Sequence, residues 1–319
     1  MKFDVIIGNP PYQISDGGQG ASAKPIYHKF IENAIDMSPR YISFIVPSRW
    51  FVGGKGLDKF RKQMLNDKRI CKIVDFPHSK DCFPSVDIKG GVNYFLWSRN
   101  YKNNCEIITS KNGSKNNSKK RFLNEFGEIF IRDNNSISIL NKVKIKNEKT
   151  MEEIVSSRKP FGFPTNFINF TETKSENSIK IFANKKIGFI DKNLIEVGSE
   201  FLSKYLVLIT EASGSGEDKT VLSKPIITEK NSCCTETYII IDSFETKEKA
   251  INLSYYIKTK FFRFLVSLIK NTQHGTKKVY RFVPYLPMDK EWTDEKLYKR
   301  YNLTQEEINY IEEKISPME

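Results

Sequence analysis

The sequence predicts an α/β fold, a parallel doubly wound sheet followed by an α+β region, and three observations carry that prediction. Short apolar runs bounded by turn residues alternate with helix-period segments through roughly the first hundred residues, the pattern of strand–helix–strand units. The first run sets Val5, Ile6 and Ile7 in succession, as a strand buried on both faces of a parallel sheet requires. Near Asn100 the alternation gives way to a long polar stretch, which divides the chain into residues 1–100 and 101–319.

The elements follow in order. After the first strand comes the turn Asn9-Pro10-Pro11-Tyr12. The segment "KPIYHKFIENAIDM" then places Tyr27, Phe30, Ile31, Ala34 and Ile35 on one helical face. "YISFIVPSRW" reads as a strand ending at Pro47, and "GLDKFRKQML" as a helix with Leu57, Phe60, Met64 and Leu65 inward. "ICKIVDFP" and residues 91–98, "GVNYFLWS", read as two further strands.

The second region is less regular. The polar segment from Asn100 is a crossing or a hairpin tip, and its lysines (Lys111, Lys115, Lys119, Lys120) fit a solvated loop better than a DNA-binding surface. From Met151, Arg158 and Lys159 are interleaved with Phe161, Phe163 and Phe167, which suits either a surface that meets bases and phosphates or a hydrophobic domain seam. "IKIFANKKIGFID" predicts a hairpin turning at Asn184 and Lys185. The glycines at 214 and 216 follow an apolar run, yet a surface loop is the better reading, because "TVLSKPIITEK" continues as another strand and no strand–turn–helix unit follows. Residues 246–270 predict one helix, with Ala250, Leu253, Ile257, Phe261, Phe264, Leu265 and Leu268 inward. A basic loop over 272–278 offers Lys277 and Lys278 to a phosphate backbone. Past Pro284 and Pro287 a helical pair ends the chain, with Thr304 as N-cap and Glu307 in capping-box position.

Composition bounds the function. The 319 residues hold 51 Lys and Arg against 38 acidic residues, a net charge of +13 that favours a polyanionic partner. The abundance of Lys, Asn and Ile also fits a general compositional bias, so charge supports nucleic acid only mildly. Five cysteines without a Cys-x-x-Cys pair and three scattered histidines argue against both a disulfide scaffold and a metal site. No signal peptide and no 18-residue apolar run are present, so no membrane partner and a cytoplasmic location are expected.

The turn carries the chemistry. Two prolines fix φ and remove backbone donors, so the corner is stiff and presents carbonyls. The bland alternative is a Pro-Pro turn that ends a strand and does nothing more. An Asn-Pro-Pro-Tyr turn capping a buried strand resembles the amine-binding corner of amino-group DNA methyltransferases. The order of elements after it, with Pro47-Ser48-Arg49, the glycines at 53, 54 and 56 and Phe83-Pro84, resembles adenine-N6 DNA methyltransferases of restriction–modification systems, in particular the type IIG enzymes. The resemblance extends weakly over the C-terminal half and implies a Rossmann-like methyltransferase sheet followed by a target-recognition domain. It further implies that Asn9 and the Pro10 carbonyl accept the two hydrogens of an exocyclic amine, localising its lone pair toward a methyl donor, S-adenosylmethionine. Pro11 completes the rigid turn. Tyr12 would stack on the extruded base. Phe83 would clamp its other face, or else be an ordinary core aromatic. Asn rather than Ser or Thr at the first position tilts the target toward adenine. Double-stranded DNA would be met by Arg49, Lys55, Arg158, Lys159, Lys277 and Lys278.

One part of that pattern is missing. The family binds S-adenosylmethionine through a Gly-rich turn and an acidic residue that here would precede the corner, and only eight residues do. The expectation is a partial sheet lacking its first strands, belonging to a fragment or to half of a split enzyme whose partner chain carries the cofactor part. Without that neighbour "DVIIG" would be an exposed apolar edge. The rival reading is a non-catalytic DNA-binding specificity module. A nuclease is disfavoured, because Glu229 and Lys230 lack a suitably spaced upstream Asp.

Overall fold

The structure, a computed structural model, describes residues 3–14, 24–53, 56–110, 117–212, 219–270 and 274–318. The chain forms two compact units, Met1–Asn134 and Asn135–Glu319.

The first unit is a six-stranded mixed sheet. Its strands are β1 (Val5–Gly8), β4 (Tyr41–Pro47), β5 (Ile70–Phe76), β6 (Val92–Ser98), β7 (Cys105–Thr109) and β8 (Asn117–Arg121), set in the order β1-β4-β6-β5-β7-β8. β1 runs parallel to β4 and β5 parallel to β7, whereas β6 is antiparallel to both its neighbours and β8 antiparallel to β7. The all-parallel sheet expected from the alternation is thus corrected. Residues 91–98 insert backwards between two forward strands, because a loop rather than a helix joins β5 to β6 and permits a reversal. Between β1 and β4 stand the small hairpin β2 (Gln13–Ile14) with β3 (Lys24–Pro25) and helix α1 (Tyr27–Asp36). Helix α2 (Asp58–Asn66) precedes β5.

Both helices pack on one face of the sheet. Tyr27, Ile31, Ala34 and Ile35 of α1 share a core with Phe60, Met64 and Leu65 of α2, and with the alternate residues Ile42, Phe44 and Val46 of β4. Phe30, expected inward, is 43% exposed. At 3.6 residues per turn it lies roughly a quarter-turn round from the buried stripe. The opposite face carries Val5, Ile7, Tyr41, Ile45, Tyr94 and Leu96, none of them fully buried. The expectation that the first strand is buried on both faces therefore fails: Val5 is 54% and Ile7 75% exposed, while Ile6 packs on the core. Among the described residues the winding is one-sided.

The boundary lies at 134 rather than near Asn100, since β7 and β8 extend the same sheet as a hairpin. The polar strand "NSKKR" hid this, because only Arg121 of it is buried.

The second unit starts with helix α3 (Ser136–Ile145) and holds two three-stranded sheets. One is β10 (Lys186–Asp191), β9 (Ser178–Ala183) and β13 (Ser232–Cys234). The other is β12 (Ile226–Ile227), β11 (Tyr205–Thr210) and β14 (Tyr238–Phe244). The expected hairpin is β9–β10, with Lys185 at φ 58° in its turn. Ile181 and Phe182 of one sheet share a core with Leu206, Leu208 and Ile240 of the other and with Phe161. The single helix expected over 246–270 is two, α4 (Lys247–Lys258) and α5 (Lys260–Ser267). Thr259 breaks it: its hydroxyl donates to the Tyr256 carbonyl at 2.7 Å and accepts from Phe262 N at 3.2 Å, restarting the helix. Asp294 accepts from the amides of Lys260 and Phe261 at the same end. Helices α6 (Asp294–Arg300) and α7 (Gln305–Lys314) close the unit, and α7 has the expected capping box of Thr304 and Glu307.

Candidate functional site

The Asn9 corner stands at the carboxyl end of β1, where ligands of open α/β sheets bind. Gly8, the last residue of the strand, lies so close to the Phe44 ring that a β-carbon there would meet it at 3.0 Å. Pro10 is buried, Asn9 and Pro11 are exposed, and Tyr12 is half-buried. The chain leaves the corner under restraint, since Ile26 N donates to the Tyr12 carbonyl at 3.1 Å and Gln13 and Ile14 pair with Pro25 and Lys24. Burial and the neighbouring Cys82 thiol raise the Tyr12 phenol above its ordinary pKa, against a smaller lowering by the Asn9 side chain. The Tyr12 hydroxyl makes no hydrogen bond of standard geometry, so Asn9 stands beside it without being consumed by it.

Cys82 adjoins Phe83, so the segment after β5 comes within electrostatic range of the corner. Phe83 is half-buried and lies outside the hydrophobic core. Its loop is internally tied: Phe83 N donates to the Ser79 carbonyl at 2.7 Å, and the Ser79 hydroxyl donates to Val86 O at 3.0 Å and accepts from Ile88 N at 2.7 Å.

A buried polar network fastens this loop to the sheet, and no motif pointed to it. Asp75, fully buried in β5, accepts Ser48 Oγ at 2.8 Å and both Nε and Nη2 of Arg132 at 2.8 Å. Arg132 Nη1 donates to Gly90 O at 2.8 Å, and Ser48 N to Gly91 O at 2.9 Å. Asn93 of β6 donates to Ser48 Oγ at 3.2 Å. The loop after β4 and the loop bearing Phe83 are thereby bound to one carboxylate. The one available signal was an Asp in the middle of the apolar strand "IVDF", which must find a partner when buried.

Of the basic candidates, Arg49 is exposed in the turn after β4, close enough to Tyr27 for its charge to oppose the rise that burial imposes on that phenol. Lys55 lies outside the described residues, as do Lys111, Lys115 and the glycines at 214 and 216. In the second unit Arg158 pairs with Glu236, which Lys159 also approaches at 3.5 Å. Arg158 and Lys277, far apart in sequence, line one cavity, and Lys278 is exposed beside it. Phe161 is buried, whereas Phe163 and Phe167 meet as a tilted pair with centroids 4.5 Å apart and are only partly buried. Among the described residues no group of three or more His, Cys, Asp or Glu could hold a metal ion, and no helix is long and apolar enough to cross a membrane.

Residues 1–83 match the Eco57I restriction-modification methylase family. The chain is also 38% identical over 173 residues to an "uncharacterized adenine-specific methylase" of Mycoplasma pneumoniae, an alignment covering 50% of this chain and 41% of that protein. By sequence, then, it is similar to adenine-specific methylases of restriction–modification systems. Among solved structures it is similar to the type IIG restriction endonuclease BpuSI (13% identity, TM-score 0.38, covering 97% of this chain and 49% of that one). A second is the type IIL restriction-modification enzyme MmeI in complex with DNA (10% identity, TM-score 0.46, covering 87% and 45%). The chain spans less than half the length of each of these relatives.

Proposed function

We propose that the chain is the target-amine and DNA-recognition part of an adenine-N6 DNA methyltransferase. Asn9 Oδ1 and the Pro10 carbonyl accept the two amine hydrogens of an extruded adenine, which directs the nitrogen lone pair at the methyl group. Tyr12 and Phe83 hold the two faces of the base, and the second unit reads the duplex. The observation that carries this reading is an exposed Asn9 on a restrained corner at the end of β1, beside a rim that also holds Phe83.

S-adenosylmethionine would supply the electrophilic methyl. The described residues do not build its pocket: β1 is an edge strand whose one neighbour among them is β4, and its other edge, where the strand bearing the cofactor turn would lie, is unpaired. The residues that bind it belong to whatever covers that edge and the open sheet face, in a separate chain or in a longer form of this one. The exposed apolar side chains Val5, Ile7 and Tyr94 support such a cover.

The test is transfer of a labelled methyl group to DNA by the complete assembly. Asn9→Ala should lower the rate about 10²–10³-fold, the scale for one aimed polar group lost from a transition state, with DNA binding retained. Unchanged methylation by that variant refutes the reading. If the assembly binds DNA but not S-adenosylmethionine, the rival non-catalytic module is favoured instead.

A further inference from the structure

We propose that the second unit carries a preformed seat for a DNA backbone phosphate, made where two hydroxyl–cation segments, residues 156–159 and 276–278, converge on one cavity. This rests on the DNA-recognition reading above and assigns it a place. The sequences are Ser-Ser-Arg-Lys and Thr-Lys-Lys, each pairing hydroxyl donors with cations, the donor set that phosphate oxygens take. They are more than a hundred residues apart, so their meeting is a product of the fold.

The cavity has a volume of about 160 Å³. Its rim is formed by the exposed residues Ser157, Arg158, Thr276 and Lys277, and its floor by buried Glu211 and Ile239. Both segments are pinned to the ends of adjacent strands. Ser156 N donates to Ile240 O at 2.9 Å while its hydroxyl accepts from Ile240 N at 3.0 Å, fixing the first segment to β14. Gly275 N donates to Glu211 O at 2.7 Å, Ala212 bridges His274, and Glu211 N donates to Thr237 O at 2.8 Å, fixing the second segment to the end of β11. β11 and β14 are hydrogen-bonded neighbours, with Ile209 opposite Ile239. The backbone of both rim segments is therefore held in place before any ligand arrives, which spares part of the ordering cost of binding.

The charges fit an anion at the rim rather than on the floor. His274 Nδ1 lies 3.0 and 3.1 Å from the two carboxylate oxygens of Glu211. Glu236 engages Arg158 and Lys159, whereas Lys277 and Lys278 have no ion pair among the described residues. At the cavity itself two cations, Arg158 and Lys277, thus stand at the rim over the one carboxylate of its floor, Glu211.

The experiment uses the full chain and labelled duplex DNA, with affinity followed by fluorescence anisotropy from about 50 to 200 mM salt. Arg158→Ala combined with Lys277→Ala should reduce the slope of log affinity against log salt by about 1, for the one phosphate charge no longer neutralised. Ser157→Ala combined with Thr276→Val should weaken binding several-fold at unchanged slope, because these hydroxyls carry no charge. All four positions are exposed, and thermal melts verify that each variant folds. If the hydroxyl variants bind as the unsubstituted chain does, the attraction is diffuse and the seat is refuted. Calorimetry with inorganic phosphate separates the other source. Phosphate binding lost in the Lys277 variant while DNA affinity stays unchanged would mean a site for free phosphate and overturn the DNA assignment. An unsubstituted chain that fails to bind duplex DNA even at low salt would instead overturn the recognition reading itself.

Discussion

Asp75 and Arg132 offer a quantitative test of the rim. The carboxylate is 1% and the guanidinium 21% exposed, and two bonds of 2.8 Å join them. Among the described residues, Asp75→Ala leaves Arg132 with only Gly90 O as acceptor and removes the acceptor of Ser48 Oγ. Breaking a buried pair by removing one partner costs about 3–5 kcal/mol, and an orphaned hydroxyl adds about 1. Asp75→Ala is therefore expected to destabilise the first unit by about 5 kcal/mol. Arg132→Ala should cost about 3, because Ser48 still serves the carboxylate. The double variant leaves no unpaired charge, although the Ser48 hydroxyl still lacks its acceptor, and should lose only about 5, a coupling of about 3 kcal/mol. Urea denaturation in a Trp292→Phe background reads the first unit alone, since the remaining tryptophans, Trp50 and Trp97, are both fully buried there. Costs that add to within about 0.5 kcal/mol would show that the pair does not act as one and would refute the reasoning.

Three further outcomes are expected. Burial disfavours the charge of Asp67, but bonds from the side chain and amide of Arg69 and from the Trp97 indole outweigh it and hold the carboxyl below its ordinary pKa. A depressed folded value contributes stability above the unfolded pKa of about 3.9 and loses it as pH falls through the folded value; the stability difference from Asp67→Asn, measured by urea titration, should be constant from about pH 5 to 7 and shrink below about pH 4. Thr259→Ala should cost about 1 kcal/mol in denaturation by removing the cap that starts α5. Gly91 has φ +78°, and a β-carbon there would lie 2.1 Å from Phe76 O and 2.6 Å from Pro77 O; Gly91→Ala should cost about 1–3 kcal/mol and raise amide hydrogen exchange in the Phe83 loop.

What the sequence made legible was local. The end of β4 at Pro47, the inward face of α2, the turn at Asn184 and Lys185 and the Thr304 cap follow from residue types within a few positions of each other. Features decided by distant partners were hidden. Strand direction is not encoded in apolar periodicity, so the antiparallel insertion of β6 could not be read. The break before α5 depends partly on Asp294, far along the chain, and Asp75 finds Arg132 at a separation of 57 residues. The polar strand β8 lacks the apolar alternation by which strands are recognised, which displaced the unit boundary. The corner itself was legible because two prolines dictate its backbone. The loop opposite it was legible only as a Phe-Pro dipeptide, since Asp75, Ser48 and the Gly91 conformation that hold it there carry no motif.

The exposed side of β1 leads to the last prediction. Natural edge strands are blunted by lysine, proline or bulges, and β1 has none of these: it reads Val-Ile-Ile-Gly, with Ile7 75% and Val5 54% exposed. Burying those two side chains in a joint would contribute on the order of 2–4 kcal/mol, at about 1.5–3 kcal/mol for a whole aliphatic side chain and about half to three-quarters of each available. The same burial would stiffen the corner, because Asn9 follows β1 directly after Gly8, whose backbone rests on Phe44. Ile7→Lys places a charge on that surface at no cost to the core, so this chain should fold with unchanged stability. The complete assembly, in contrast, must bury an unpaired ammonium or come apart, and methylation should fall by at least tenfold while the second unit still binds DNA. Methylation at the unsubstituted rate by the Ile7→Lys assembly would show that β1 is not where the cofactor-binding part joins.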